Sequence, residues 1–350
     1  MLDISGIPVK YLNQFAKASG VKYRGREQDQ VLEELVGQGK EEDLKYLIEQ
    51  FKFPASYLSI LKPESNFPDI SKTPELFIDK LVQERIINRS NVNTEWQPSY
   101  NPSIKLCAIK HEGSSIYIKL VEERFSSKKV GYSKSKSSYA YFTSLVLHFG
   151  TEELIELRCS MLDAKKYADF IMNLMGFASY KWIAVPKLTK EAAKTLCSHL
   201  SAGVASTHIA LPTTVGSVKF NGKKGVNLKR DNTFELITAK IKELGLPTDD
   251  TMDENCFYSY TDTRTGVVIE VKFEVNIKMS YFKFTSIVPE GVVDHVLDTL
   301  VLVNNGEGLI STETDTDAPD VGLNFLRLPE IEVDVHLDVA SQPDTDVLLK

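Results

Sequence analysis

A chain of 350 residues with 42% hydrophobic and 25% charged side chains can bury a sizeable core, and its ordinary composition excludes a fibrous or low-complexity protein. No apolar run approaches the ~20 residues that a membrane-spanning helix needs, so no membrane partner is expected. The net charge of −7 hides an asymmetry: residues 97–230 carry 20 basic and 9 acidic side chains, whereas residues 231–350 carry 8 and 24.

A middle segment at +11 attracts polyanions, and the acidic remainder can shield it or pair with it inside the fold. Cys107, Cys159, Cys197 and Cys256 lie far apart without a Cys-x-x-Cys pair, and no histidine stands at zinc-ligand spacing from a cysteine. This predicts buried, reduced thiols in an intracellular protein, cytoplasmic or nuclear, with no metal and no cofactor. The start of the chain lacks the basic stretch and apolar block of a secretory signal, which agrees with that location.

Taken in order, the chain opens with helices. Val9, Leu12, Phe15 and Ala16 recur at helical spacing over Val9–Ala18, and Gly20 stands where a left-handed stop belongs. Val31, Leu32 and Leu35 begin a second apolar face, and Leu44, Leu47 and Ile48 mark a third helix over Glu41–Phe51. The helix, Gly-Val, short link, Gly, helix order around GVKYRG resembles SAP-type DNA-binding modules. The apolar residues of the second helix fall one or two positions late for that module, and a small helical bundle for protein contacts accounts for the pattern better. Pro54 and Pro63 punctuate the next stretch, and a fourth helix is expected from Pro74 to Asn88, with Thr73 as its N-cap. The polar stretch 89–102 marks the end of a helical domain assigned to residues 1–90.

From Ile104 the apolar period changes from 3.6 to 2. Ile104–Ile109 and Ser115–Val121 form a hairpin, a basic loop comes next over Ser126–Ser138, and strands are expected at Tyr139–Phe149 and Leu154–Ser160. Helices are expected at Leu162–Leu174, Thr189–Leu200 and Phe234–Leu244, and Ile209–Phe220 reads as extended. A second β block comprises Cys256–Tyr260, Val267–Ile277 and Tyr281–Val288, closed by the helix Val292–Val301. SYAYFTSLV (Ser138–Val146) is echoed by SYFKFTSIV (Ser280–Val288), which points to repeats over 104–175 and 256–303 within a body at 103–303. An acidic linker at 304–321 and a strand within 322–340, able to join a sheet edge here or in a partner, complete the α+β assignment.

Two constellations carry candidate chemistry. Lys128, Lys129, Lys134 and Lys136 in one loop, with Lys219, Lys223, Lys224, Lys229 and Arg230 around another, are interleaved with hydroxyl side chains that suit phosphate contacts. Neither stretch has the spacing of a nucleotide-binding P-loop. In the second constellation, Asp262, Glu270 and Lys272 have the D-x7-E-x-K order of Mg²⁺-dependent nucleases of the PD-(D/E)xK kind. Plain strand alternation also produces E-x-K, with Val271, Phe273 and Val275 facing a core.

A helical head followed by a β body with a Tyr-x-Phe-Thr-Ser strand is similar to the centromere protein N family. That resemblance implies a basic groove facing DNA, and carries no individual site residue across. The expected function is sequence-independent nucleic-acid binding, DNA favoured, or an adaptor role, through the segments 126–136 and 219–230. The alternatives are the nuclease, or a protein-protein module acting through the helical head or the tail strand.

Overall fold

The computed structural model describes residues 2–307 apart from 5, 100, 132, 186–188, 212–213, 249 and 278–280. The proposed tail strand at 322–340 and most of the proposed linker lie outside the described residues.

Three short helices open the chain: α1 (Val9–Ala18), α2 (Gln28–Gly37) and α3 (Glu41–Gln50). α1 buries Tyr11, Leu12, Phe15 and Ala16 on one face and stops where Gly20 adopts φ +76°. Gln30 reaches back to the backbone N–H of Glu27 at the start of α2, and Glu41, Glu42 and Asp43 complement the positive end of the α3 dipole.

Immediately after them comes an element that the sequence pattern did not predict, the strand β1 (Ala55–Pro63). The prolines on either side read as turn punctuation, yet SYLSIL between them supplies the central strand of the fold, with apolar residues on both of its faces. Leu58 and Ile60 project into one core and Leu61 into the other. Each such side chain, fully buried, contributes about 1.5–3 kcal/mol.

The remaining elements are α4 (Pro74–Gln83), β2 (Thr94–Glu95), β3 (Lys105–Glu112), β4 (Ser115–Val130), β5 (Ser133–His148), β6 (Leu154–Leu157), α5 (Met161–Met175), β7 (Trp182–Val185), α6 (Lys190–His199), β8 (Gly203–Ala210), β9 (Ser217–Asn221), α7 (Asn232–Glu243), β10 (Thr251–Thr261), β11 (Val268–Asn276), β12 (Tyr281–Val288) and α8 (Glu290–Glu307). The strands form one antiparallel sheet in the order β2-β3-β4-β5-β6-β1-β12-β11-β10-β8-β9, with β7 also on β1. β1 is the junction: Ala55–Leu58 pair with β12, and Ser59–Pro63 pair with β6 and β7. The protein is therefore α+β, as its periodicities predict.

Register assigns the two faces. Leu58 pairs with Phe282, and Phe284 with Phe273; this face carries the core shared with α1, α2, α3, α6 and α8. Leu61 pairs with Ile155, Ile155 with Leu147 and Leu147 with Ile116; the opposite face carries the core shared with α4 and α5. The helical head thus packs on the half-sheet that is most distant from it in sequence.

Several boundaries differ from expectation for local reasons. α4 ends at Gln83 rather than near Asn88, because Arg85 turns left-handed (φ +58°) and the Ile86 N–H closes onto the Leu81 carbonyl at 2.9 Å. α8 continues to Glu307, four residues into the expected linker. The stretch 126–138 is not a loop: it lies in β4 and β5 apart from the turn between them. The two echoed segments fall in β5 and β12, where Val146 and Val288 are both buried but other echoed pairs differ. Leu145 is buried where Ile287 is 42% exposed, and Phe142 is 55% exposed where Phe284 is buried. Phe142 and Leu145 therefore do not occupy the environments of Phe284 and Ile287, and β6 has no counterpart before α8.

Candidate functional site

β4 and β5 outrun their neighbours. β3 pairs with β4 only as far as Val121, and β6 pairs with β5 only from Leu145 to His148. From Glu122↔Tyr141 to Val130↔Ser133, nine register pairs form a two-stranded ribbon with no third strand among the described residues. At ~3.3 Å per residue it projects about 30 Å. Gly131, at φ +60°, supplies the left-handed backbone that such a tight turn requires.

Lys128, Lys134 and Lys136 are exposed on this ribbon and make no ion pair among the described residues; Lys129 is the register partner of Lys134. No acidic residue occurs between Glu123 and Glu152, so the outer ribbon carries only positive formal charge. Alternation places Phe125, Phe142, Lys134 and Lys136 on one face, and Lys128 with Tyr139 on the other. Phe125 is 63% and Phe142 55% exposed, an unusual state for phenylalanine. Sequence patterning did not single out these rings. Their phase was readable, since both are out of step with Ile116, Ile118 and Leu120, but only once the segment is known to be paired strand.

The root of the ribbon is fixed to α5. Glu122 is buried and accepts from Arg124 at 2.7 Å, from the Tyr167 hydroxyl at 3.0 Å and from Lys166. Arg124 also pairs with Asp163 at 3.0 Å and lies 3.5 Å over the Tyr141 ring. Burial pushes the Glu122 carboxyl up, but these donors outweigh it and hold it below the ordinary range. The network sets the direction in which the ribbon leaves the sheet.

The second basic segment lies elsewhere. β9, seven strand positions from β5, carries Lys219, and the adjoining turn and short 3-10 helix carry Lys223, Lys224, Lys229 and Arg230. Lys219 is 3.7 Å from Asp253 and Lys229 donates to Glu254 at 3.0 Å, so part of this charge is paired within the fold. The nine basic residues singled out by sequence do not form one patch.

The nuclease constellation does not assemble. Asp262 is 4% exposed and accepts from the Tyr46 hydroxyl at 2.8 Å and from Thr265 N–H and hydroxyl at 2.6 and 2.7 Å. It lies on the helix-packed face, continuing the phase of Tyr258 and Tyr260, whereas Glu270 and Lys272 are exposed on the other face and pair with each other at 3.2 Å. Strand alternation and a buried turn aspartate account for the pattern.

No protein-family model matches this chain, and no curated protein matches it. No helix among the described residues is long and apolar enough to cross a membrane.

A cleft of about 450 Å³ is lined by Tyr46, Gln50, Lys110, Tyr117, Glu290 and Asp294, among others. Beneath it Arg158, fully buried, donates to Glu156 at 2.6 Å and to Glu290 at 2.6 and 2.5 Å, and Glu156 contacts His148 at 3.1 Å. Burial pushes Glu156 up, yet Arg158 and His148 bring it down to about 2. Asp294 is an open position on α8, but burial of its carboxyl against the cleft wall, then the Glu290 and Glu156 charges, push it up to about 7. Most charges lining the cleft have partners: Lys110 contacts Glu49 and Glu112, Lys45 contacts Glu42, and Glu290 holds Arg158. The arrangement is that of a structural junction between the two half-sheets.

Proposed function

We propose that this protein binds nucleic acid, DNA in the first instance, largely independently of sequence, using the β4–β5 ribbon as its contact arm. The observation that carries the reading is the combination on one ribbon of Lys128, Lys134 and Lys136, with no ion pair among the described residues, interleaved serines and exposed Phe125 and Phe142. Lysine ammonium groups and serine hydroxyls contact phosphates and position the chain without reading bases. A two-stranded β-ribbon fits the major groove of duplex DNA, and exposed rings can stack on unpaired bases. The anchored root of the ribbon keeps the arm presented, so little ordering is required on binding.

The test is fluorescence anisotropy with labelled duplex and single-stranded DNA over a salt series, with and without Mg²⁺, and then a gel of the products. Binding that weakens steeply with salt and leaves the DNA intact supports the reading. Absence of binding at low salt overturns it, and Mg²⁺-dependent shortening of the DNA would return the chain to the nuclease class.

A further inference from the structure

Four cysteines are present, and two of them meet. Cys197 on α6 and Cys256 on β10 are 59 residues apart in sequence, 5% and 1% exposed, with their Sγ atoms 3.5 Å apart. The meeting is a product of the fold: Cys256 shares the helix-packed face of β10 with Tyr258, and Cys197 lies on the buried stripe of α6 with Ala193 and Leu196. The Glu254 carboxylate stands beside them, its ligand atom within 4.8 Å of both sulfurs.

Two thiols and a carboxylate at this spacing invite a metal, but the surroundings argue against one. Lys229 donates to Glu254 at 3.0 Å, setting an ammonium against the carboxylate that a dication would need. Three ligands are also one short of the four of a closed zinc site, and no fourth stands with them among the described residues. The thiols themselves are differentiated. The hydrogen bond from Cys256 lowers the Cys197 thiol more than burial raises it, and the same bond with burial drives Cys256 up. By contrast, burial pushes Cys107 and Cys159 up to about 12, and Cys107 donates to the Lys119 carbonyl.

We propose that Cys197 and Cys256 form a peroxide-oxidisable dithiol, with Cys197 as the attacking sulfur and Cys256 as the resolving one. The Cys197 thiolate attacks one oxygen of hydrogen peroxide; an S–O bond forms, the O–O bond breaks, and the departing hydroxide is protonated to water. The sulfur of Cys256 then attacks the Cys197 sulfenic acid; the S–S bond forms, a second water leaves, and the Cys256 proton goes with it. Two thiols are oxidised by two electrons and one peroxide is reduced to two waters. The sulfurs must close by about 1.5 Å to reach disulfide bonding distance, a movement on the scale of a side-chain adjustment. A cleft of about 240 Å³ lined by Ala193, Lys194, Lys229 and Glu254 lies close to the pair without either cysteine lining it, so a small neutral oxidant has to pass the last side chains from there; Ala193 is one helical turn from Cys197, and Glu254 is two residues from Cys256. The disulfide would tie α6 to β10 around β8, β9 and α7, the segment that holds the second basic region.

The experiment treats the full-length protein with a small excess of hydrogen peroxide, then alkylates it and maps the peptides by mass spectrometry. The expected product has lost two of its four thiols. Before alkylation it is about 2 Da lighter than the untreated protein; it contains a Cys197–Cys256 cross-link and reverts with dithiothreitol. Cys256→Ala should accumulate a dimedone-reactive sulfenic acid at Cys197, and Cys197→Ala should show none at Cys256. Should either variant fail to fold, the wild-type map decides. The proposal is overturned if all four thiols survive, if Cys107 or Cys159 is oxidised as fast as the pair, or if the purified protein carries stoichiometric zinc that blocks the reaction.

Discussion

Arg158 and Glu290, 132 residues apart in sequence, are joined by two hydrogen bonds of 2.6 and 2.5 Å, and this pair ties the end of the first half-sheet to the first turn of α8. Arg158 also donates to Glu156 and to the Phe53 carbonyl, so one buried guanidinium serves three acceptors from three parts of the chain.

Removing that guanidinium leaves two carboxylates and a carbonyl without their donor. Arg158→Ala is expected to destabilise the protein by about 3–5 kcal/mol, because uncompensated buried charges remain. Urea denaturation checks this. Glu290→Gln, which keeps shape and one acceptor, should cost less.

Asp294 gives a pH signature. Its folded pKa of about 7 lies above its ordinary value of 3.8. The folded form therefore holds the proton more tightly, and the group progressively destabilises the fold as pH rises from 3.8 to 7. Asp294→Asn should melt higher than wild type at pH 8, and the difference should vanish below about pH 4, measured by thermal denaturation across pH.

Charge on the ribbon should appear in the salt dependence of binding. Replacing Lys128, Lys134 and Lys136 together by alanine is expected to flatten the plot of log affinity against log salt for duplex DNA by roughly 3, at ~0.9 for each phosphate no longer neutralised. The same change at Lys223, Lys224 and Arg230 should leave the slope nearly unaltered, since those residues lie at the other end of the sheet. Unchanged melting temperatures would show that neither set supports the fold.

Phe125 and Phe142 should separate strand states. Alanine at both is expected to weaken single-stranded DNA binding by about 1–3 kcal/mol per stacked base, with a smaller effect on duplex binding. Because both rings are more than half exposed, their removal should not lower stability. A drop in melting temperature would instead identify them as packing residues.

Local patterns carried much of this structure. Apolar spacing of Leu12, Phe15 and Ala16 is enough to define α1, and Thr73 before Pro74 marks the start of α4, where its hydroxyl accepts from the Leu76 N–H. Asp231 and Thr189 cap α7 and α6 in the same way. β1 was hidden because it buries Leu58 and Ile60 on one face and Leu61 on the other, so six residues between prolines show no alternation to read. The ribbon was hidden for a related reason. Serines and lysines have weak strand preference, and their pairing is imposed by the apolar register that Ile116 and Leu147 set farther down.

The α+β class, the position of most helices and strands, and the concentration of positive charge in the middle of the chain are all legible in the order of residues. They depend on period, capping and composition, which are properties of neighbours along the chain. Folding in three dimensions was needed to bring the helical head onto the second half-sheet, to part Asp262 from Glu270, to send the two basic segments to different ends of one sheet, and to join Cys197 with Cys256. Those relationships depend on strand order and on which face each side chain takes, and both are set by long-range pairing through β1 rather than by local preference.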